Sequence, residues 1–172
     1  LGDPRMRKPN DVRIDAVRTY LAQRNADGYS RSIETRFWET VLALYLLDIK
    51  RYDDAEPLLV ACRKAWVETM HGDEDPWVLQ IDRLIAVARA QRLLERARTG
   101  VLDGEDRAEL VLTADALSPV LGVEATKDDK GCITELAIGT LAEIYSASVL
   151  DDPAKYKAAY DRDNRRRARE FK

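Results

Sequence analysis

The stretch 33–45, IETRFWETVLALY, decides the fold class because its apolar side chains recur three and four residues apart. Residues at this spacing share one face of an α-helix, whereas a strand would alternate. The first stripe consists of Ile33, Phe37, Val41, Leu44 and Tyr45. Two more follow: Leu58, Leu59, Cys62, Ala65, Trp66 and Met70, then Val78, Ile81, Leu84, Ile85 and Ala88. Sustained alternation is hard to find anywhere, so the sequence predicts an all-α fold.

Working outward from this stretch, the same periodicity predicts seven helices. They span about 11–25, 31–49, 53–71, 76–98, 105–117, 133–149 and 153–170. Helix-ending glycines are expected at Gly28, Gly72 and Gly100. Asp75 before Pro76 is a typical helix start, and Asp53 with Glu56 has the spacing of a capping box. Residues 121–131 read as an exposed loop.

The composition describes a soluble globular domain that is poor in catalytic residue types. The chain has 172 residues, a net charge of −3, two cysteines and one histidine. This leaves little material for a soft metal site or a base-activated nucleophile, which disfavours an enzyme. The longest apolar run, Val41 to Leu47, has seven residues, far short of the roughly 20 that span a bilayer. A cytoplasmic protein with reduced Cys62 and Cys132 is expected.

Specific catalytic and metal motifs are not found. His71 stands beside Gly72 at a predicted helix end, where capping explains it better than catalysis. With Gly131 as the glycine of a calcium loop, ligands would fall on Thr126 and Ala137, and neither fits. Glycine-rich phosphate loops and a nucleophile elbow are absent from the sequence. The sequence therefore predicts no catalytic residue, no cofactor and no metal.

Small residues recur in a way that indicates paired helices. Ala43 is followed twelve positions later by Ala55, and Ala142 is followed at the same distance by Ala154. Small residues at such positions let antiparallel helices approach closely. Ile85-Ala86 starts a third instance, although Ala108 lies 22 positions further on and requires an insertion.

This pattern resembles the tetratricopeptide repeat, in the longer-period variety of kinesin light chains. The resemblance is carried by the stretches RYDDAEPLL (51–59) and HGDEDPWV (71–78), followed by Ile85-Ala86. It implies one domain, 1–172, of stacked antiparallel hairpins. The units would be 31–71, 76–117 and 133–170, after a lone first helix at 11–25. A non-repetitive helical bundle is the alternative, and because the chain starts at Leu1 it could be part of a longer protein.

The resemblance implies a non-catalytic scaffold whose first helices line a concave groove for a peptide or a partner helix. The family's carboxylate clamp has no counterpart here, so a mixed apolar and polar groove is expected. Apolar members of the set could instead belong to the core. The implied partner-binding residues are Phe37, Thr40, Leu44, Gln80, Arg83, Val87, Glu143 and Ser146.

The chain ends suggest two further kinds of partner. Residues 153–172 carry a net charge of +5, so the rest carries −8. The cluster Arg165, Arg166, Arg167 and Arg169 predicts, as an alternative function, an accessory domain that binds an acidic partner or nucleic acid. Interrupting acids and the lack of stacking aromatics disfavour nucleic acid. In the first helix, apolar stripes at Val12, Ala16 and Tyr20 and at Val17 and Leu21 allow a homodimer contact.

Overall fold

The structure is a computed structural model, and it describes residues 9–69, 72–100, 102–122, 132–147, 150 and 153–170. Within these ranges the chain forms seven α-helices and no strand, which confirms the predicted all-α class. Short 3₁₀ turns cover Ser118–Gly122 and Pro153–Tyr156. The helices are α1 (Pro9–Ala26), α2 (Ile33–Asp48), α3 (Tyr52–Thr69), α4 (Pro76–Arg98), α5 (Gly104–Leu117), α6 (Cys132–Ala147) and α7 (Lys157–Glu170).

The helix ends follow local chemistry. Gly28, Gly72 and Gly100 all have φ between 81° and 90°, the left-handed conformation that ends helices at glycine. The Asp75 carboxylate accepts the Trp77 N–H at 2.8 Å, as expected of a capping residue before Pro76. The capping box at Asp53 is wrong by one position, because α3 already begins at Tyr52. His71 and residues 123–131 lie outside the described residues.

The chain divides into two compact units, Leu1–Asp82 and Arg83–Lys172, with the boundary inside α4. In the first unit, α2 packs against both α1 and α3. Ala43 and Ala55 are completely buried, as expected for small residues where two helices approach closely. Helix α1 packs through Ile14, Val17 and Leu21, whereas Val12 and Ala16 of the predicted stripe remain exposed.

The second unit contains the rest of α4 together with α5, α6 and α7 around an apolar core. Ala108 and Ala154, the expected second-helix alanines, are both exposed, so the burial of Ala55 in α3 does not recur at these positions. Tyr156 and Ala159 are buried instead. The core is formed by Ala86, Val87, Ala90, Leu93, Leu94, Leu110, Ala114, Leu117, Val120, Ala137, Ile138, Leu141, Ile144, Tyr156 and Ala159.

Polar contacts between helices fix the second unit further. Arg96 of α4 forms an ion pair with the buried Asp106 of α5 at 2.7 Å. Tyr156 donates a hydrogen bond to Asp115 of α5 at 3.0 Å, and Lys155 pairs with the same carboxylate. Across the described residues of both units, no helix combines the length and apolar character needed to cross a membrane.

Candidate functional site

Helix α2 leaves an apolar stripe in solvent. Helices α1 and α3 pack on other sides of α2. On the stripe, Ile33 is 56% exposed and Phe37 is 42% exposed, whereas Val41 and Leu44 are half-buried. Such a stripe normally faces a core, so its exposure marks a surface available to a partner. The side chains of α2 that are buried are Thr35, Thr40, Leu42, Ala43, Leu46 and Leu47.

Trp77, in the first turn of α4, extends this apolar stripe. Its ring meets Phe37 edge-on, with centroids 6.4 Å apart and an interplanar angle of 84°, and the residue is 44% exposed. On another side it stacks on the buried Trp66 at 6.4 Å and 12°. Both geometries are favourable for aromatic pairs. We call Ile33, Phe37, Val41, Leu44 and Trp77 the Phe37–Trp77 surface.

Further aromatic contacts hold the surface in place from α1. Trp38 packs edge-on against Phe37 at 5.8 Å, and Tyr20 of α1 contacts Trp38 at 5.6 Å. The Tyr20 hydroxyl donates to Glu34 at 2.6 Å, and this hydrogen bond raises the pKa of Tyr20. Arg24 binds the same carboxylate at 3.0 Å. A chain of five rings therefore runs through the first unit and ends at Trp66.

Trp77 is positioned by polar contacts on both sides of it in sequence. The Arg63 guanidinium of α3 binds both carboxylate oxygens of Asp82, at 2.5 and 3.2 Å, and Asp73 at 2.9 Å. Hydrogen bonds to these carboxylates raise the pKa of Arg63. Trp66 Nε1 is buried without an acceptor among the described residues, so Trp66 supports Trp77 by packing.

Acidic residues outnumber basic ones around Trp77, where Arg63 pairs with two of four carboxylates. Residues 72–82 contain Asp73, Glu74, Asp75 and Asp82 and no basic residue. Glu74 is exposed. Along α2 the charges balance, since Arg24 pairs with Glu34 and Arg36 pairs with Glu39. The end of the surface at Trp77 is therefore acidic.

In the first unit, the predicted groove residues divide between surface and core. Phe37 and Leu44 lie on the Phe37–Trp77 surface, and Gln80 is half-buried with a polar partner. Thr40 is only 4% exposed, and its hydroxyl donates to the Arg36 carbonyl at 3.1 Å. Thr40 thus offers no surface to a partner, because it lies on a side of α2 that its neighbours cover.

In the second unit, Val87 is likewise buried, at 2% exposure within the apolar core, and is removed from the predicted set. Arg83 is half-buried and already has a polar partner. Glu143 forms an ion pair with Arg98 at 2.9 Å, and the exposed Ser146 donates to the Ala142 carbonyl at 3.0 Å. Glu143 and Ser146 therefore contact residues outside the predicted set.

The basic cluster of α7 is described only in part. Arg165 is exposed, whereas the side chains of Arg166, Arg167 and Arg169 lie outside the described residues.

Sequence reasoning missed Ile33 and Trp77 as surface residues. The signal for Trp77 was its place directly after Asp75-Pro76, in the first turn of α4. Its neighbour Val78 lies on the buried face of this helix, and Trp77 does not.

Cys62 lies on α3, the helix that also carries Trp66. It is free and completely buried, and its thiol donates to Glu39 at 3.6 Å. Burial, reinforced by the Glu39 charge, raises the pKa of Cys62 to about 12, so the thiol stays protonated at neutral pH. Among the residues with described positions, no group of three acidic, histidine or cysteine side chains could hold a metal ion.

No protein-family model, curated protein or solved structure matches the chain.

Proposed function

We propose that this chain is a non-catalytic protein interaction module that binds a peptide or a partner helix on the Phe37–Trp77 surface. The observation that carries the proposal is the contact between Phe37 and Trp77, two large aromatic side chains that pack on each other while both remain more than 40% exposed. Aromatic residues are enriched at the centres of protein interfaces, where they act as anchors.

Rigidity favours the same conclusion. Trp77 is supported by Trp66, by the Arg63 ion pairs and by the Asp75 cap. An anchor that is already fixed loses little side-chain entropy when a partner binds. The apolar stripe of α2 adds a path along which a bound segment can lie.

The proposal includes a tetratricopeptide-like arrangement in a cytoplasmic scaffold. It is supported by the buried Ala43 and Ala55 and by the place of Phe37 and Trp77, which belong to the first helices of consecutive expected repeats. Those first helices supply the binding face in that family. The exposure of Ala108 and Ala154 restricts this support to the first unit.

Selection from a library of random peptides displayed on phage tests the proposal. Peptides selected on the intact chain should bind Phe37→Ala and Trp77→Ala about tenfold more weakly or worse. Val60→Ala is the matched control, because Val60 is 43% exposed on α3 of the same unit and forms no part of the surface. Circular dichroism confirms that each variant is folded. Equal binding to all variants, or no enriched peptide, would refute the proposal.

Self-association is a competing use of the exposed apolar residues. Light scattering at high protein concentration separates the two, with a monomer expected for the proposed module. A dimer that is disrupted by Phe37→Ala would instead make a second copy the occupant of the surface, and a dimer that is disrupted by Val12→Ser would place the contact on α1.

A further inference from the structure

We infer that the segment bound by the Phe37–Trp77 surface carries a basic side chain next to an apolar anchor. This inference rests on the proposed function and names the chemistry of its partner.

In the described part of the chain, the four acids of residues 72–82 outnumber Arg63, the cation that pairs with two of them. Of the four acids in residues 72–82, Asp73 and Asp82 share the single guanidinium of Arg63. The Asp75 carboxylate caps the start of α4 by accepting the Trp77 N–H. Glu74 is exposed and directly precedes this cap in sequence. A net negative charge therefore remains beside Trp77, and it favours a cationic partner.

The part of the surface that lies on α2 is apolar, and the acids beside it are paired. Glu34 and Glu39 are each paired with an arginine of the same unit, and Ile33 and Phe37 present apolar surface on the same helix. The exposed Arg31, just before α2, adds a positive charge on that side. The surface therefore combines an apolar anchor site along α2 with an acidic site at Trp77, and it orients a bound segment with its basic residue toward Trp77.

Arginine suits the acidic site best. A guanidinium can stack on the exposed part of the Trp77 indole while it donates hydrogen bonds to a carboxylate, and lysine supplies the charge without the planar stacking. The same negative charge repels phosphates, so nucleic acid and anionic lipid are disfavoured as occupants of this surface.

The peptides selected for the proposed function supply the probes. We expect them to be enriched in arginine or lysine within about one helical turn of a leucine, phenylalanine or tryptophan. A synthetic copy of the strongest peptide should bind several-fold more weakly at about 300 mM than at about 50 mM NaCl. Glu74→Lys should weaken it about fivefold. Glu68→Lys, a reversal at another exposed glutamate, which pairs with Lys64 on α3 at 4.0 Å, should leave binding unchanged.

A charge exchange completes the test. Replacing the basic residue of that peptide by glutamate should abolish binding to the natural chain and restore part of it to the Glu74→Lys variant. Peptides without basic enrichment, or binding indifferent to both salt and Glu74→Lys, would overturn this inference while leaving the proposed function intact if Phe37 and Trp77 are still required. Loss of any dependence on Phe37 and Trp77 would overturn both.

Discussion

Gln91 of α4 donates a hydrogen bond to Thr140 of α6 at 3.1 Å, and both side chains are buried in the second unit. A polar pair in an apolar environment fixes how two helices align, because any shift along the axis leaves one group without its partner. This contact is therefore a point at which the second unit can be tested directly.

We predict that Thr140→Val destabilises the chain by about 1–3 kcal/mol, since it leaves the buried Gln91 amide without its acceptor while preserving side-chain shape. Urea unfolding measures this free energy. In the double variant Gln91→Leu, Thr140→Val, the loss should be smaller than the sum of the two single losses. Simple additivity would show that the two side chains do not act as a pair.

The two stacked tryptophans should separate stability from binding. Trp66→Ala removes a nearly buried ring and should cost about 3–5 kcal/mol. Trp77→Ala removes a ring that is 44% exposed and should cost less, about 1–3 kcal/mol for its contacts with Phe37 and Trp66. Thermal or urea unfolding of both variants provides the comparison. A larger loss for Trp77→Ala than for Trp66→Ala would mean that Trp77 is chiefly a structural residue.

Cys62 should make the chain less stable in alkali. Its folded pKa of about 12 lies above the ordinary value of 9.0, so the stabilisation is complete below pH 9.0 and is lost as the pH rises toward 12. Between pH 9.0 and about pH 12, the free energy of unfolding should fall by up to about 1.4 kcal/mol per pH unit.

Urea unfolding from about pH 8 to about pH 9.5, below the ordinary tyrosine pKa of 10.0, should therefore show a steeper decline for the natural chain than for Cys62→Ala. Val60→Ala, at an exposed position without a titrating group, serves as the control and should retain the steep decline. Parallel curves for the natural chain and Cys62→Ala would contradict the assigned burial of the thiol.

Asp115 should contribute to stability with the opposite pH dependence. Hydrogen bonds from Lys155 and then Tyr156 lower the pKa of its carboxyl below the ordinary 3.8. The contribution is present above pH 3.8 and is lost as the pH falls through the folded pKa. Asp115→Asn should lower stability at neutral pH by less than about 1 kcal/mol, because the group is largely exposed.

The difference between Asp115→Asn and the natural chain should shrink as the pH falls below 3.8 and disappear once the folded carboxyl is protonated as well. Unfolding followed at neutral pH and in steps down to about pH 2 tests this. Asp161→Asn, which removes the exposed partner of Lys157 on α7, is a suitable comparison. A gap that persists unchanged in acid would show that the Asp115 effect does not come from its charge.

The helices were predictable because their signals are local. Apolar spacing located all seven, and Gly28, Gly72 and Gly100 marked ends that the backbone confirms. The errors at helix ends were small, such as Asp53, and the last predicted helix begins with a 3₁₀ turn at Pro153–Tyr156.

Which face of a helix is covered was not predictable, because that depends on neighbours distant in sequence. Helix α2 is apolar on more than one side, so its sequence alone did not indicate that α1 and α3 would cover Thr40 and leave Ile33 exposed. Trp77 was missed for a similar reason. The predicted groove on this helix begins at Gln80, and Trp77 lies one helical turn before it.

Trp77 and Trp66 stack on each other but are under different evolutionary constraints, because one ring is half-exposed and the other is buried. Trp66 is buried, so exchange at this position is penalised in every context through the loss of the fold. Ile33, Glu74 and Trp77 reach solvent and can be exchanged at small cost to stability. Divergent copies of such a chain can therefore acquire new partners by changing a few outward residues over an unchanged inner layer.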